Sequence, residues 1–452
     1  MMIHPKDRWS LFASLIILLV IMAGLPLGAG AGEQLPLGAA MCINKVESLI
    51  QKGKLQEAVI VLENFKAKQK GVDPGTAEKK GYTHYYIDFL LGNTCLMCSE
   101  KKGTGKTGTW LKRAARAYDQ AVKKKPDLSP AWLNLAKCRY DLDQMNKAAR
   151  AFVKGYDASP EKNASHLYYG AICYFQANDH SRALKTFNRL IKKHPKSFSP
   201  AWRENYVSIL FAMDKNKTAL PHVEILAGKF TGEKKKKWQE ILLYQYLNLK
   251  MSKKALAYGK MLTRTDPTEP KWWKAVSHLY LNRNDMKNGL SNLLIYSYLT
   301  PPTREEKILM ADLYLSLGIP ARASVFYEKI LKDKEDLTKI KRIIQAYTAS
   351  HEPEKALAWI DRGLAWKSDF DLLKQKAAFL YELEQYDKAA SVYEQLAGRS
   401  KRPGEYFLLL GYCAWNLEQM DRAKKAFERA AKFDKQKKSA LLAIAQLSKM
   451  VK

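Results

Sequence analysis

A small residue recurs about every 34 positions through this chain, and that interval constrains the fold more than any other feature. Counting back from Ala423, the rungs are Ala389, Ala356, Ala323, Gly289, Ala255, Ala219, Ala183, Ala148 and Ala114, separated by 33 to 36 residues. A small side chain at every rung suits a place where two helices cross too closely for a larger one. Four residues beyond the rungs stand Phe427, Tyr393, Ile360, Tyr327, Leu293, Val223, Phe187, Phe152 and Tyr118, one helical turn along the same face, with Gly259 the one break. Nine residues before the rungs come Tyr347, Tyr314, Tyr280, Tyr246 and Tyr174; twelve after them come Pro126, Pro160, Pro195, Pro267 and Pro301. A proline there cannot continue a helix and so ends it. Trp132, Trp273 and Phe407 fill an early aromatic slot, which Trp202 and Trp238 miss by one residue. The unit around Ala219 is degenerate, and its register stays open by about a residue.

The clearest copy of the unit is Gly404 to Phe433, with apolar positions three or four apart on both sides of a turn near Glu418. Its aromatic-x-x-Leu-Gly at Phe407 to Gly411, followed by Ala423 and Phe427, resembles the tetratricopeptide repeat, whose period is about 34 residues. The resemblance implies an all-α, right-handed α-α superhelix, a solenoid of about eleven helical hairpins, with first helices lining the concave side. An amino-terminal unit with Leu49, Ala58, Leu62 and Phe65 opens the array. The step from Ala58 to Ala114 is long by about one helix and a loop, so Thr83 to Cys98 is read as a first helix and Lys101 to Thr109 as an inserted basic loop. The resulting organisation is 1–31 signal peptide, 32–128 amino-terminal hairpins with that loop, 129–437 repeat array and 438–452 capping helix.

Lys6 and Arg8 precede an uncharged apolar run from Leu11 to Leu25, then Pro26 and the small residues Ala29, Gly30 and Ala31. This is the layout of a secretory signal cleaved after Ala31, and the run is shorter than the roughly 20 residues of a spanning helix. An uncleaved inner-membrane anchor is the alternative. Export makes the expected location periplasmic, and an exported array of this kind also resembles the repeat proteins associated with TonB-type uptake systems.

The 452 residues carry 76 Lys and Arg against 45 Asp and Glu, a net charge of +31, which points to an anionic partner or surface. With export, nucleic acid is excluded as partner; an acidic protein or peptide, or peripheral association with membrane or cell wall, remains. The run Lys102-Gly103-Thr104-Gly105-Lys106-Thr107 resembles a phosphate loop, but Glu100 stands where its first glycine belongs and no strand precedes it. Cys138, Cys173 and Cys413 share one slot, ten residues before their rungs, and read as packing. A bridge among Cys42, Cys95 and Cys98 stays open. The histidines show no ligand spacing, and no Ser, His and Asp set has a recognisable context, so neither a metal, a cofactor nor a catalytic residue is expected. The resemblance implies a binding scaffold. First-helix positions facing the groove would be Lys137, Tyr140, Tyr168, Phe175, Tyr244, Lys271, Lys274, His278, Lys341, Lys374 and Trp415. That mixture of cations and aromatic faces suits an extended peptide carrying carboxylates; the competing reading packs the aromatics against the next hairpin.

Overall fold

The computed structural model describes residues 35–100, 107–331 and 336–450. The signal-peptide expectation at 1–31 falls outside them, as does the phosphate-loop look-alike at 102–107 except for Thr107. The described residues form twenty-four α-helices and no strand. They divide into two compact units, one ending at Leu242 and the other beginning at Leu243.

In the first unit α1 (Leu37–Gln51) pairs with α2 (Leu55–Ala67), and a short α3 (Pro74–Lys79) follows. Then come α4 (Tyr85–Glu100) with α5 (Thr107–Lys124), α6 (Ser129–Asp141) with α7 (Met145–Ala158), α8 (Ala164–Gln176) with α9 (His180–Lys193), and α10 (Pro200–Ala212) with α11 (Asn216–Lys229). The boundary lies inside α12 (Gly232–Asn248), whose later part folds back on α13 (Ser252–Thr265), the Tyr246 ring meeting Tyr258 edge-on at 5.8 Å. The second unit continues with α14 (Pro270–Leu281) and α15 (Met286–Leu299), α16 (Arg304–Ser316) and α17 (Pro320–Leu331), and α18 (Leu337–Ala349) and α19 (Pro353–Trp366). It closes with α20 (Phe370–Glu382) and α21 (Tyr386–Arg399), α22 (Gly404–Asn416) and α23 (Met420–Ala430), and finally α24 (Asp434–Met450). Eleven hairpins and a terminal helix result, the number the ladder requires, and each unit is a solenoid in which helices pack on their chain neighbours. The short α3 has no counterpart in the periodicity, and α24 starts four residues ahead of Lys438.

The ladder is the core. Every rung alanine is fully buried, and the bulky residue one turn on is buried beside it. At Gly259, where that second ladder breaks, a Cβ would lie 2.8 Å from Val276 Cγ2; the side chain missing from α13 is replaced by one from α14. The prolines sit two residues past the ends of α5, α7, α9, α13 and α15. Two of them also bind the next hairpin: Trp132 Nε1 donates to the Pro126 carbonyl and Trp273 Nε1 to that of Pro267, each at 2.8 Å. Proline and tryptophan six residues apart thus close the link between repeats.

All six cysteines are buried free thiols, so no bridge joins Cys42, Cys95 and Cys98. Burial pushes Cys95, Cys138, Cys173 and Cys413 up to about 12, which suppresses the thiolate and fits packing. Asp88, on α4, is fully buried and held by Lys66 from α2 and by Lys124 from α5 at 2.5 Å, an ionic brace across three helices.

Candidate ligand-binding face

The first helices contribute a polar and aromatic seam within each unit. In the first, Tyr118 Oη and Asn134 Nδ2 both donate to Asn93 Oδ1, at 2.7 and 3.1 Å, tying α4, α5 and α6. Further along, Tyr168 on α8 stacks on Trp202 of α10, centroids 4.6 Å apart and planes 10° from parallel, and accepts from Asn205 Nδ2 at 2.9 Å. Glu204, next to Asn205, accepts from Trp238 Nε1 and pairs with Lys234, both at 2.9 Å. In the second unit Asn416 on α22 donates to Tyr381 Oη on α20 at 3.4 Å.

Three of the cations expected to meet a ligand already meet a carboxylate of the chain. Lys137 pairs with Asp141 at 3.1 Å and reaches Glu100 of α4 at 3.4 Å; burial alone would lower its pKa, and these two acids raise it. Lys274 on α14 pairs with Glu306 of α16 at 2.5 Å and stands over the Tyr296 ring. Its pKa is raised by that hydrogen bond. Glu306 is also the N3 residue of the Thr303 capping box and accepts from Tyr296 Oη at 3.1 Å. Burial works to raise its pKa, but Lys274, the Thr303 amide and Tyr296 together hold it below the ordinary value. Lys341 on α18 pairs at 2.6 Å with Asp369, the N-cap of α20, whose carboxyl it holds low. Lys341 also lines a shallow depression with Leu337, Thr338, Arg342 and Gln345. The Lys274 and Lys341 side chains remain 43% and 42% exposed while Glu306 and Asp369 are only 9% and 17% exposed, so each lysine keeps an open side toward solvent while its own carboxylate stays in place.

The other positions divide. Lys271, Lys274 and His278 share one stripe of α14; burial and then Lys274 lower the pKa of His278. Tyr244 on α12 is 62% exposed, and Lys374 on α20 is exposed beside the Phe370 ring. Tyr168 is buried by its stack, Trp415 is half-buried against Phe427, Phe175 is half-buried against His180, and Tyr140 is half-buried on α6. For Tyr168 and Trp415 the packing role is the one occupied.

Sequence reasoning missed a second use of cations. Arg182 stands over Tyr174, Lys254 over Tyr246 and Lys355 over Tyr347, with the cation at 5.1, 6.0 and 5.5 Å from the ring. Each tyrosine is nine residues before a rung and each cation one before it. That signal was present: the residue before the rung is Lys or Arg at Arg113, Lys147, Arg182, Lys254, Arg322, Lys355, Lys388 and Arg422.

Two segments, 111–163 and 380–438, match one tetratricopeptide-repeat model, and 167–197 matches another. The chain carries tetratricopeptide repeats. No curated protein matches the chain. Among solved structures, a tetratricopeptide repeat protein from Parabacteroides merdae ATCC 43184 is 15% identical, the match covering 68% of this chain and 98% of its own, with a TM-score of 0.29. Naa15/Naa10 bound to HypK-THB is 12% identical over 91% of this chain and 78% of its own, with a TM-score of 0.36. Tetratricopeptide repeats bind protein partners in general.

Proposed function

We propose that the protein is a non-catalytic scaffold that takes up an extended acidic segment of a partner protein along its first-helix face. The observation that carries this reading is two contacts in the second unit, Lys274 with Glu306 and Lys341 with Asp369, each joining successive first helices through a lysine that stays open to solvent beside an aromatic or apolar surface. A partner carboxylate pairs with the open side of either lysine, while Tyr244 and the Phe370 ring offer apolar contact. The amino-terminal apolar run supports a periplasmic setting, with retention as an inner-membrane anchor the other outcome, and envelope assembly or a TonB-type transport system as the assembly served. The test is in-cell photocrosslinking from Tyr244, Lys271 and Lys374, followed by partner identification. One dominant acidic partner, lost on Lys274→Gln plus Lys341→Gln, is expected; recovery of abundant bystanders alone would overturn the reading. Amino-terminal sequencing of protein from fractionated cells checks the location, a start at Gly32 being the expected result.

A further inference from the structure

Three successive second helices of the first unit are strongly basic. Helices α5, α7 and α9 hold thirteen Lys and Arg against two acids, Asp119 and Asp157. Both acids are consumed, by Arg139 and Arg189. In the second unit, α19 and α21 have as many acidic as basic residues. The position two residues after the rung reads Arg116, Arg150 and Lys185 on three successive second helices, all exposed, and no carboxylate forms an ion pair with any of them among the described residues. Asp179, the acid that Arg150 influences, is itself held by Arg182. Lys112, Lys123, Lys147, Lys154 and Lys192 extend the same exposed face.

We propose that this face docks on an anionic phospholipid bilayer. Its cations spread in two directions. Lys147, Arg150 and Lys154 cover about 10 Å along α7 at 1.5 Å per residue. The Arg116, Arg150 and Lys185 row crosses three hairpins. An array of that form matches a plane of charged headgroups better than a single filament. The ion pair of Arg113 with Glu63 at 2.7 Å sets α2 beside α5, and on α2 the same position after the rung is Ile60, an exposed aliphatic at the border of the basic field. No large hydrophobic or aromatic side chain of α5, α7 or α9 is exposed, so the face has no platform on which bases would stack. Cations near an anionic leaflet each add to binding and are screened by salt.

The test is co-sedimentation of the full chain with vesicles of phosphatidylglycerol and phosphatidylcholine in about equal parts, against pure phosphatidylcholine, between about 0.1 and 0.5 M salt. The neutral vesicles read whatever the amino-terminal apolar run contributes. Wild type binds the anionic vesicles more tightly and loses that excess as salt rises. Arg116→Gln, Arg150→Gln and Lys185→Gln together weaken the excess about a hundredfold. Lys388→Gln, Lys424→Gln and Lys425→Gln in the second unit leave it within about threefold. A second triple, Lys112→Gln, Lys147→Gln and Lys192→Gln, repeats the loss, and circular dichroism checks that all variants keep their helicity. Equal losses from both units, no loss from the first triple, or a soluble polyanion such as polyglutamate or RNA displacing the vesicles through the same three residues would overturn the proposal.

Discussion

Among the described residues, eight other than glycine adopt left-handed backbone, including Lys250 (φ 57), His351 (φ 56), Glu384 (φ 57) and Glu418 (φ 58). All eight, and Gly53 and Gly318, sit five residues before a rung, at the turn inside a hairpin. Left-handed backbone costs a residue with a Cβ about 1–2 kcal/mol, partly offset in a glycine by its freer unfolded chain. Glu384→Gly and Glu418→Gly are therefore expected to stabilise by about 0.5–1 kcal/mol each, read as a raised urea midpoint. The reverse holds at Gly411, where a Cβ would enter the Phe427 ring. Gly411→Ala should cost about 2 kcal/mol by overpacking. His222 accepts from Arg203 at 2.7 Å and packs edge-on against Tyr206; burial first, then Arg203, lowers its pKa. With the folded value below the unfolded one of about 6.5, the unfolded chain binds the proton first, so stability is present above that pH and lost as pH falls toward the folded value. A urea midpoint that declines on acidification, and declines less in His222→Gln, is the expected outcome.

The helices show where a sequence reveals its structure and where it does not. Ala423 and Phe427 were legible because the cause is local: the helix crossing excludes anything larger, and one turn on, the same face must fill the core. The proline stops of α5, α7, α9, α13 and α15 were legible for the same reason. What escaped depended on a neighbour. Lys274 looks like an unoccupied clamp until α16 brings Glu306 to it, and Tyr168 looks like groove lining until α10 lays Trp202 across it. The left-handed turns escaped because three residue types outside glycine, asparagine and aspartate, namely lysine, histidine and glutamate, occupy a slot that glycine would mark. Asp88 belongs to this class, since its partners come from the helices before and after its own. Asp88→Asn should remove the brace across α2, α4 and α5 and cost about 3 kcal/mol, the low end for breaking a buried pair because both lysines keep some solvent. Hydrogen exchange should accelerate in those three helices first.

At the scale of the molecule, stability in a stack of nearest neighbours is a sum over hairpins rather than one cooperative quantity. The cysteines report on it. Cys42, Cys95, Cys98, Cys138 and Cys173 lie in the first unit and Cys413 in the second, all buried. Thiol labelling of the native protein near pH 8 should be negligible. Across a urea titration, Cys413 and the other five are expected to become reactive at separate midpoints; a shared midpoint would mean that both units open together. The charge distribution has the same graded character, since among the described residues fourteen Lys and Arg side chains, Arg113, Arg182 and Arg189 included, stand over aromatic rings, while Arg116, Arg150 and Lys185 are left to the solvent.

The turn inside each hairpin has one further effect, under tension. Each hairpin packs on its chain neighbours, so a pull on the two ends is resisted hairpin by hairpin. A repeat of about 34 residues, released whole, lengthens the chain by about 110 Å of contour at the extended reach of 3.3–3.6 Å per residue, less its folded width. The force trace of such a molecule is a staircase, and the evenness of its treads measures how alike the eleven hairpins are in strength.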